Sequence, residues 1–272
     1  MGLIITISVA LLFEIALPIA LAIWAIKHFK INWLVILIGM MTFMVVQVIQ
    51  IPILSWLSNL VESGNAVNLA SSWRPVFDGL VIGLSAGLLT EVARWGSFKF
   101  IKQILKDNSH AVSLGIGYGL IETILLVGLP LAVSFVAMII YKNADIYDLT
   151  YPEGLVTQVQ ALWQIPWYTP LIGAVERLAS LITHITLSVM ILQVFLQNNI
   201  KYLFYAIAWH TFLETIPIIM TGYEINVWFI DLLLIIFSLV NLVLLNKMGI
   251  IKFLKEIVPT KKDVVKQGVE ND

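Results

Sequence analysis

The 272-residue sequence contains no cysteine. Disulfides, thiolate metal sites and a cysteine nucleophile are therefore excluded. Charge is scarce as well: 12% of residues are Asp, Glu, Lys or Arg, against 60% that are apolar, and mean hydropathy is +0.94. A soluble domain does not carry that balance. The chain also lacks a basic stretch ahead of its first apolar segment and a small-residue cleavage site, so that segment reads as a retained helix. His-Glu-x-x-His is absent, and so is a Gly-x-Ser-x-Gly-like segment. The usual helical zinc-protease and intramembrane serine-protease signatures are thus missing. There is no internal repeat, low-complexity tract or soluble domain.

What the sequence does have is seven apolar runs, at about 2–26, 33–57, 75–98, 111–141, 168–196, 201–220 and 227–245. They predict an all-α, polytopic membrane protein with a single integral membrane domain over 1–246 and a core over 75–220. Lys and Arg alternate between rich and poor connections. Lys27 and Lys30 follow the first run, Lys99, Lys102 and Lys106 the third, Lys201 the fifth, and Lys247, Lys252 and Lys255 the last. That pattern predicts an outside N-terminus and a cytoplasmic C-terminus. The basic tail, 247–272, is expected on the cytoplasmic side, with an amphipathic start (Ile250, Phe253, Leu254, Ile257) and disorder beyond Pro259. In the long fourth connection, Leu155, Val159, Leu162 and Pro166 recur near helical spacing beside Trp163 and Trp167. That stretch reads equally well as an amphipathic helix on the outer face or as a packed loop.

Ionisable groups inside hydrocarbon cost roughly 2.5–3.5 kcal/mol on insertion scales, so their placement is informative. Glu91 and Arg94 share a helix face in the third run. In the fourth, Tyr118 and Glu122 share a face, and Gly115 and Gly119 permit close helix approach. In the fifth, Arg177, Ser180, His184 and Ser188 form one stripe. In the sixth, His210 and Glu214 are four apart. At about 1.5 Å per residue, Glu91, His210, Glu122 and His184 lie roughly 12, 13, 16 and 18 Å from the predicted cytoplasmic ends. One small site needs such a common level. Glu14, Gln47, Gln50, Asp78, Asp231 and Asn241 also fall in or near the spans, and interhelical hydrogen bonding or an interfacial position accounts for them.

Two glutamates and two histidines in a wet intramembrane pocket suit the activation of water. A carboxylate takes the proton, and an imidazole or a buried cation steadies the oxyanion. Two histidines and a carboxylate (Glu122, His184, His210) could still hold zinc, leaving the other glutamate as base. The usual metal spacing is absent, which favours the glutamic mechanism, with no certain cofactor and zinc as the alternative.

The order Glu-x-x-Arg, aromatic-x-x-x-Glu, His-x-x-x-Ser and His-x-x-x-acid on consecutive spans resembles the superfamily of type II CAAX prenyl endopeptidases and PrsW-type proteases. Within it, the sequence is most similar to the bacterial YhfC family of intramembrane proteases. The resemblance covers about 81–215. It implies a four-helix catalytic core built from the third to sixth spans. It also implies Glu91 as base, Arg94 holding the first motif, His184 with Ser188 at the oxyanion or ligand position, and His210 with Glu214 as the fourth motif. Glu122 would stand where CAAX enzymes have histidine and PrsW-like members glutamate. Thr90 stands where the superfamily usually has a first glutamate, which leaves both Glu91 and Glu122 as candidates for the base. Tyr118 and Arg177 complete the supporting set. The expected activity is an intramembrane endopeptidase acting on membrane proteins or lipid-linked peptides in the cell membrane. A membrane complex is compatible with this, and no nucleic-acid partner is expected. The rival reading is a non-enzymatic scaffold subunit or small-solute transporter using the same polar groups.

Overall fold

A computed structural model describes residues 2–29, 33–63, 70–103, 107–144, 154–250 and 252. The described residues are helical and contain no strand. Seven helices are long and apolar enough to cross a membrane. They are α1 (Gly2–His28), α2 (Leu34–Glu62), α3 (Ser71–Phe100), α4 (Asn108–Ile140), α6 (Thr169–Leu196), α7 (Lys201–Gly222) and α8 (Val227–Lys247), with a short α5 (Leu155–Gln164) between α4 and α6. The predicted spans match these within about six residues, the largest difference being the end of α2. Lys30, Lys106, Asp145, Asp148, Glu153 and most of the basic tail lie outside the described residues.

Apolarity faces outward. Leu12, Ile23, Met41, Val48, Leu84, Leu88, Val133, Ile140 and Leu239 are exposed, while Glu14, Glu91, Arg94, His184, Ser188, His210 and Asn241 are buried. Lipid solvates the first group, and the second must find partners inside, as a bilayer requires.

Small residues set how closely the helices approach. A Cβ on Gly115 would lie 2.6 Å from the Ile185 Cα, and one on Gly119 2.8 Å from Leu181 Cδ1, so α4 and α6 meet almost backbone to backbone. The sequence anticipates that contact. A second one runs along the stripe Gly79, Gly83 and Gly87 on α3, which has the same four-residue spacing. There, Cβ atoms would overlap the hydroxyls of Thr215 and Thr211 on α7 or crowd Ile219. The two motif-bearing helices α3 and α7 pack along that stripe.

Helix α5 is both of the things the sequence allowed. It is a helix, and it is packed: Val159 joins Leu3, Ile7 and Met138 in an apolar cluster. Thr6 Oγ1 donates to the Trp167 carbonyl, 2.5 Å, which ties the following loop to α1. At the opposite face Asp107 caps α4, accepting from the Ser109 backbone N–H at 2.9 Å.

Candidate active site

Four helices bring their charged groups into one chain of contacts. Glu91 Oε1 accepts from Arg94 Nη1 at 2.5 Å and from His210 Nδ1 at 2.7 Å. Arg94 Nη2 donates to His184 Nδ1 at 3.2 Å. On its other side His184 Nε2 meets Glu122 Oε2 at 2.7 Å. Glu122 Oε1 accepts from Ser180 Oγ at 3.1 Å and lies 3.6 Å from Arg177 Nη1. The side chains that the polar pattern put at one level are therefore brought together by α3, α4, α6 and α7.

The protonation pattern follows from the chemistry of arginine. A guanidinium has no acceptor, so His184 Nδ1 must accept and Nε2 must carry the proton. His184 is then a neutral imidazole donating to Glu122. His210 has the opposite arrangement, because its Nδ1–H goes to Glu91 and its Nε2 faces Glu214 Oε1 at 4.0 Å.

Tyr118 forms the floor. Its ring lies 4.6 Å from the His184 ring and 4.9 Å beneath the Arg94 guanidinium, and its hydroxyl bonds Thr90 Oγ1 at 3.0 Å. Thr90 therefore orients the aromatic platform. Ser188 sits one turn from His184 and is fully buried, but its hydroxyl has no hydrogen-bond partner among the described residues and stays outside the contact chain.

Accessibility separates the two glutamates. The Glu91 side chain is wholly buried, with Oε2 lacking a partner among the described residues. Glu122 retains 15% of its side-chain exposure and Arg177 25%. Glu214 is 48% exposed although it lies mid-helix in a span. A carboxylate at that depth is costly unless water or a partner reaches it. A groove of about 1100 Å³ opens between α2, α3 and α7, lined by Leu54, Arg74, Asp78 and Pro217; none of Glu91, Glu122, His184 and His210 lines it.

Glu14 differs from its expected role as an interhelical hydrogen-bonding group. It is 1% exposed on a π-helical turn, Leu12–Ala16, and Oε2 has no partner among the described residues. Arg177 acts on it electrostatically, as it does on Glu122. A second π-turn, Thr123–Gly128, begins directly after Glu122. Single π-turns inside helices gather at functional sites, and here both flank the Arg177 region. A sequence gives no readable signal for a π-turn.

As ligands for zinc, Glu122, His184 and His210 do not fit in this arrangement. Among the described residues, no three His, Asp or Glu side chains form a metal-holding group. His184 Nε2 carries a proton and so has no lone pair to offer. Two ligands at 2.0–2.1 Å on a tetrahedral zinc stand about 3.3 Å apart, whereas His184 Nε2 and Glu122 Oε2 are at hydrogen-bonding distance, 2.7 Å. Arg94 bridges the two halves of the set, so a guanidinium already supplies the central positive charge.

A family model described as YhfC intramembrane metalloprotease matches residues 13–246. The uncharacterized membrane protein YhfC of Bacillus subtilis (strain 168) is 24% identical over 220 residues, covering 75% of this chain and 79% of that protein. No solved structure matches the chain.

Proposed function

The chain belongs to the YhfC family, and from that premise we propose that it is an intramembrane endopeptidase that hydrolyses a peptide bond of a membrane-associated substrate. The observation that carries the reading is the unbroken contact chain from Glu122 through His184 and Arg94 to Glu91 and His210, inside spans where uncompensated charge is costly.

Glu122 is the base. It keeps some side-chain exposure where Glu91 has none, and a base must meet the water it deprotonates. It takes a proton from water, the resulting hydroxide adds to the scissile carbonyl, and the C–N bond breaks as that proton passes to the leaving amine. Arg177, beside Glu122, faces the developing oxyanion. His184 fixes the orientation of Glu122 through Nε2–H, and Arg94 fixes the His184 tautomer. Glu91 and His210 form the buried support. The family's description names a metal; the donor chemistry of this set supports water activation by the Glu122 carboxylate, with Arg177 supplying positive charge for the oxyanion. The N-terminus faces outward and the C-terminus the cytoplasm, which puts the site on the cytoplasmic side of the midplane.

Comparing membrane-protein fragments from cells with the wild type and with Glu122→Gln tests this. Fragments should disappear in the variant while folded protein remains. Fragment sets for Glu122→Gln and His184→Ala that both match the wild type would end the protease reading and favour a scaffold subunit.

A further inference from the structure

We propose that Asn241, on the last helix, is a positioning residue for the two histidines of the site; this rests on the protease reading above. Asn241 is wholly buried in α8, on a helix that contributes nothing to the contact chain. Its Oδ1 accepts from Trp209 Nε1 at 2.9 Å. Its Nδ2 donates to Thr183 Oγ1 at 2.8 Å. Thr183 Oγ1 donates in turn to the Ala179 carbonyl at 3.1 Å, which uses the hydroxyl's one donor.

The two partners are specific in position. Thr183 immediately precedes His184 on α6, and Trp209 immediately precedes His210 on α7. One amide therefore pins both histidine-bearing helices at the residue next to each histidine. Adjacent helical residues point about 100° apart. The clamp thus sits to one side while the imidazoles reach inward, and their rings stand 6.0 Å apart. The indole is held further by Phe212 and Phe237, at 5.7 and 6.2 Å between ring centroids. A side-chain tip lies about 6 Å from the helix axis, so a 10° helix rotation moves it about 1 Å. A misplacement of that size can cost about 100-fold in rate.

Asn is the side chain this clamp needs. It must accept from an indole, which only donates, and donate to a hydroxyl already committed to a carbonyl. Neither an apolar residue nor an ionised Asp does both.

The test uses the full chain in lipid nanodiscs. Asn241→Leu breaks the clamp but strands two polar partners. The triple variant Asn241→Leu, Thr183→Val, Trp209→Phe removes the stranded partners too, so it keeps the fold. Two readouts are taken: kcat and KM for cleavage, and the imidazole ¹⁵N signals of the protein's four histidines. The expected result is a kcat about 10- to 100-fold lower in the folded triple variant with KM unchanged. The His184 and His210 signals should shift, and those of His28 and His110 should stay. Wild-type kcat in the triple variant, or unmoved His184 and His210 signals, would overturn the proposal. If the wild type itself cleaves nothing, the protease reading fails, and the imidazole signals still decide the clamp.

Discussion

Arg94 and His184 are 90 residues apart in the chain, yet the guanidinium Nη2 and the imidazole Nδ1 are 3.2 Å apart and join the two halves of the site. On one side of that bond lie Glu91 and His210, on the other Glu122 and Ser180. The bond fixes which nitrogen of His184 is protonated and hence the direction in which Glu122 is held. A planar fork is needed to serve Glu91 and His184 at once.

Arg94→Lys keeps the charge but offers one point donor in place of the fork, so it should retain Glu91 or His184 and not both. Cleavage should fall at least tenfold. Arg94→Leu leaves Glu91 as an unpaired buried charge, which costs about 3–5 kcal/mol. Thermal unfolding in detergent checks the second expectation, and turnover of the folded Lys variant the first.

The two glutamates should fail differently. Glu122→Gln removes the base and should lower kcat by about 10²–10⁴ with little change in unfolding temperature. Glu91→Gln disturbs a fully buried partner of both Arg94 and His210, so it should lower the unfolding temperature and activity together. Equal unfolding losses in the two variants would mean that the difference in exposure has no functional weight.

Much of this was legible in the sequence. Glu91, Glu122, His184 and His210 are scarce polar residues on an apolar background, and helical spacing plus depth was enough to place them at one level. What escaped is what has no sequence periodicity of its own. The π-turns around Glu14 and after Glu122 are backbone events. The link from Trp209 through Asn241 to Thr183 joins three helices and carries no motif. Gly79, Gly83 and Gly87 did have a readable four-residue spacing, but that spacing does not say which helix they meet. Ser188 sat on the right stripe, and its hydroxyl still found no partner among the described residues.

That glycine stripe sets the distance between Glu91 on α3 and His210 on α7. Gly83→Ala and Gly87→Ala should each destabilise by about 1–3 kcal/mol, since their Cβ atoms meet Thr215 and Thr211. Gly96→Ala is the control on the same helix, where nothing lies within 4 Å, and it should be neutral or slightly stabilising. Unfolding midpoints of the three variants decide this.

Asp107 offers a pH test outside the spans. Burial raises its carboxyl pKa, but hydrogen bonds from the Ser109 hydroxyl and backbone and from His110 outweigh that and hold it below the ordinary value. A depressed folded pKa means that the cap's contribution is complete above the unfolded value, about 3.9, and is lost as pH falls through the lower folded one. Asp107→Ala should cost about 0.5–2 kcal/mol near neutral pH. The gap between variant and wild type should close on acidification below pH ~4. A gap that stays constant down to pH ~2 would show that the carboxylate is not the capping species.

Metal dependence is the sharpest remaining test, because the family's description and the donor chemistry point in different directions. A zinc ion at His184 Nε2 requires that nitrogen to lose its proton, and the proton would then have to sit on Nδ1, facing Arg94 Nη2 at 3.2 Å, donor against donor. Zinc also needs Glu122 Oε2 to move off its 2.7 Å hydrogen bond, and it would add a cation beside Arg177, which already lies 3.6 Å from Glu122. The expected outcome is purified protein with well under one zinc per chain and a cleavage rate unchanged by chelation. Stoichiometric zinc that is lost in His184→Ala and His210→Ala, together with activity abolished by chelation, would mean that Arg94 swings away from His184 in the working enzyme. Arg94→Leu would then bind zinc more tightly than the wild type, since the displaced guanidinium no longer competes for the site.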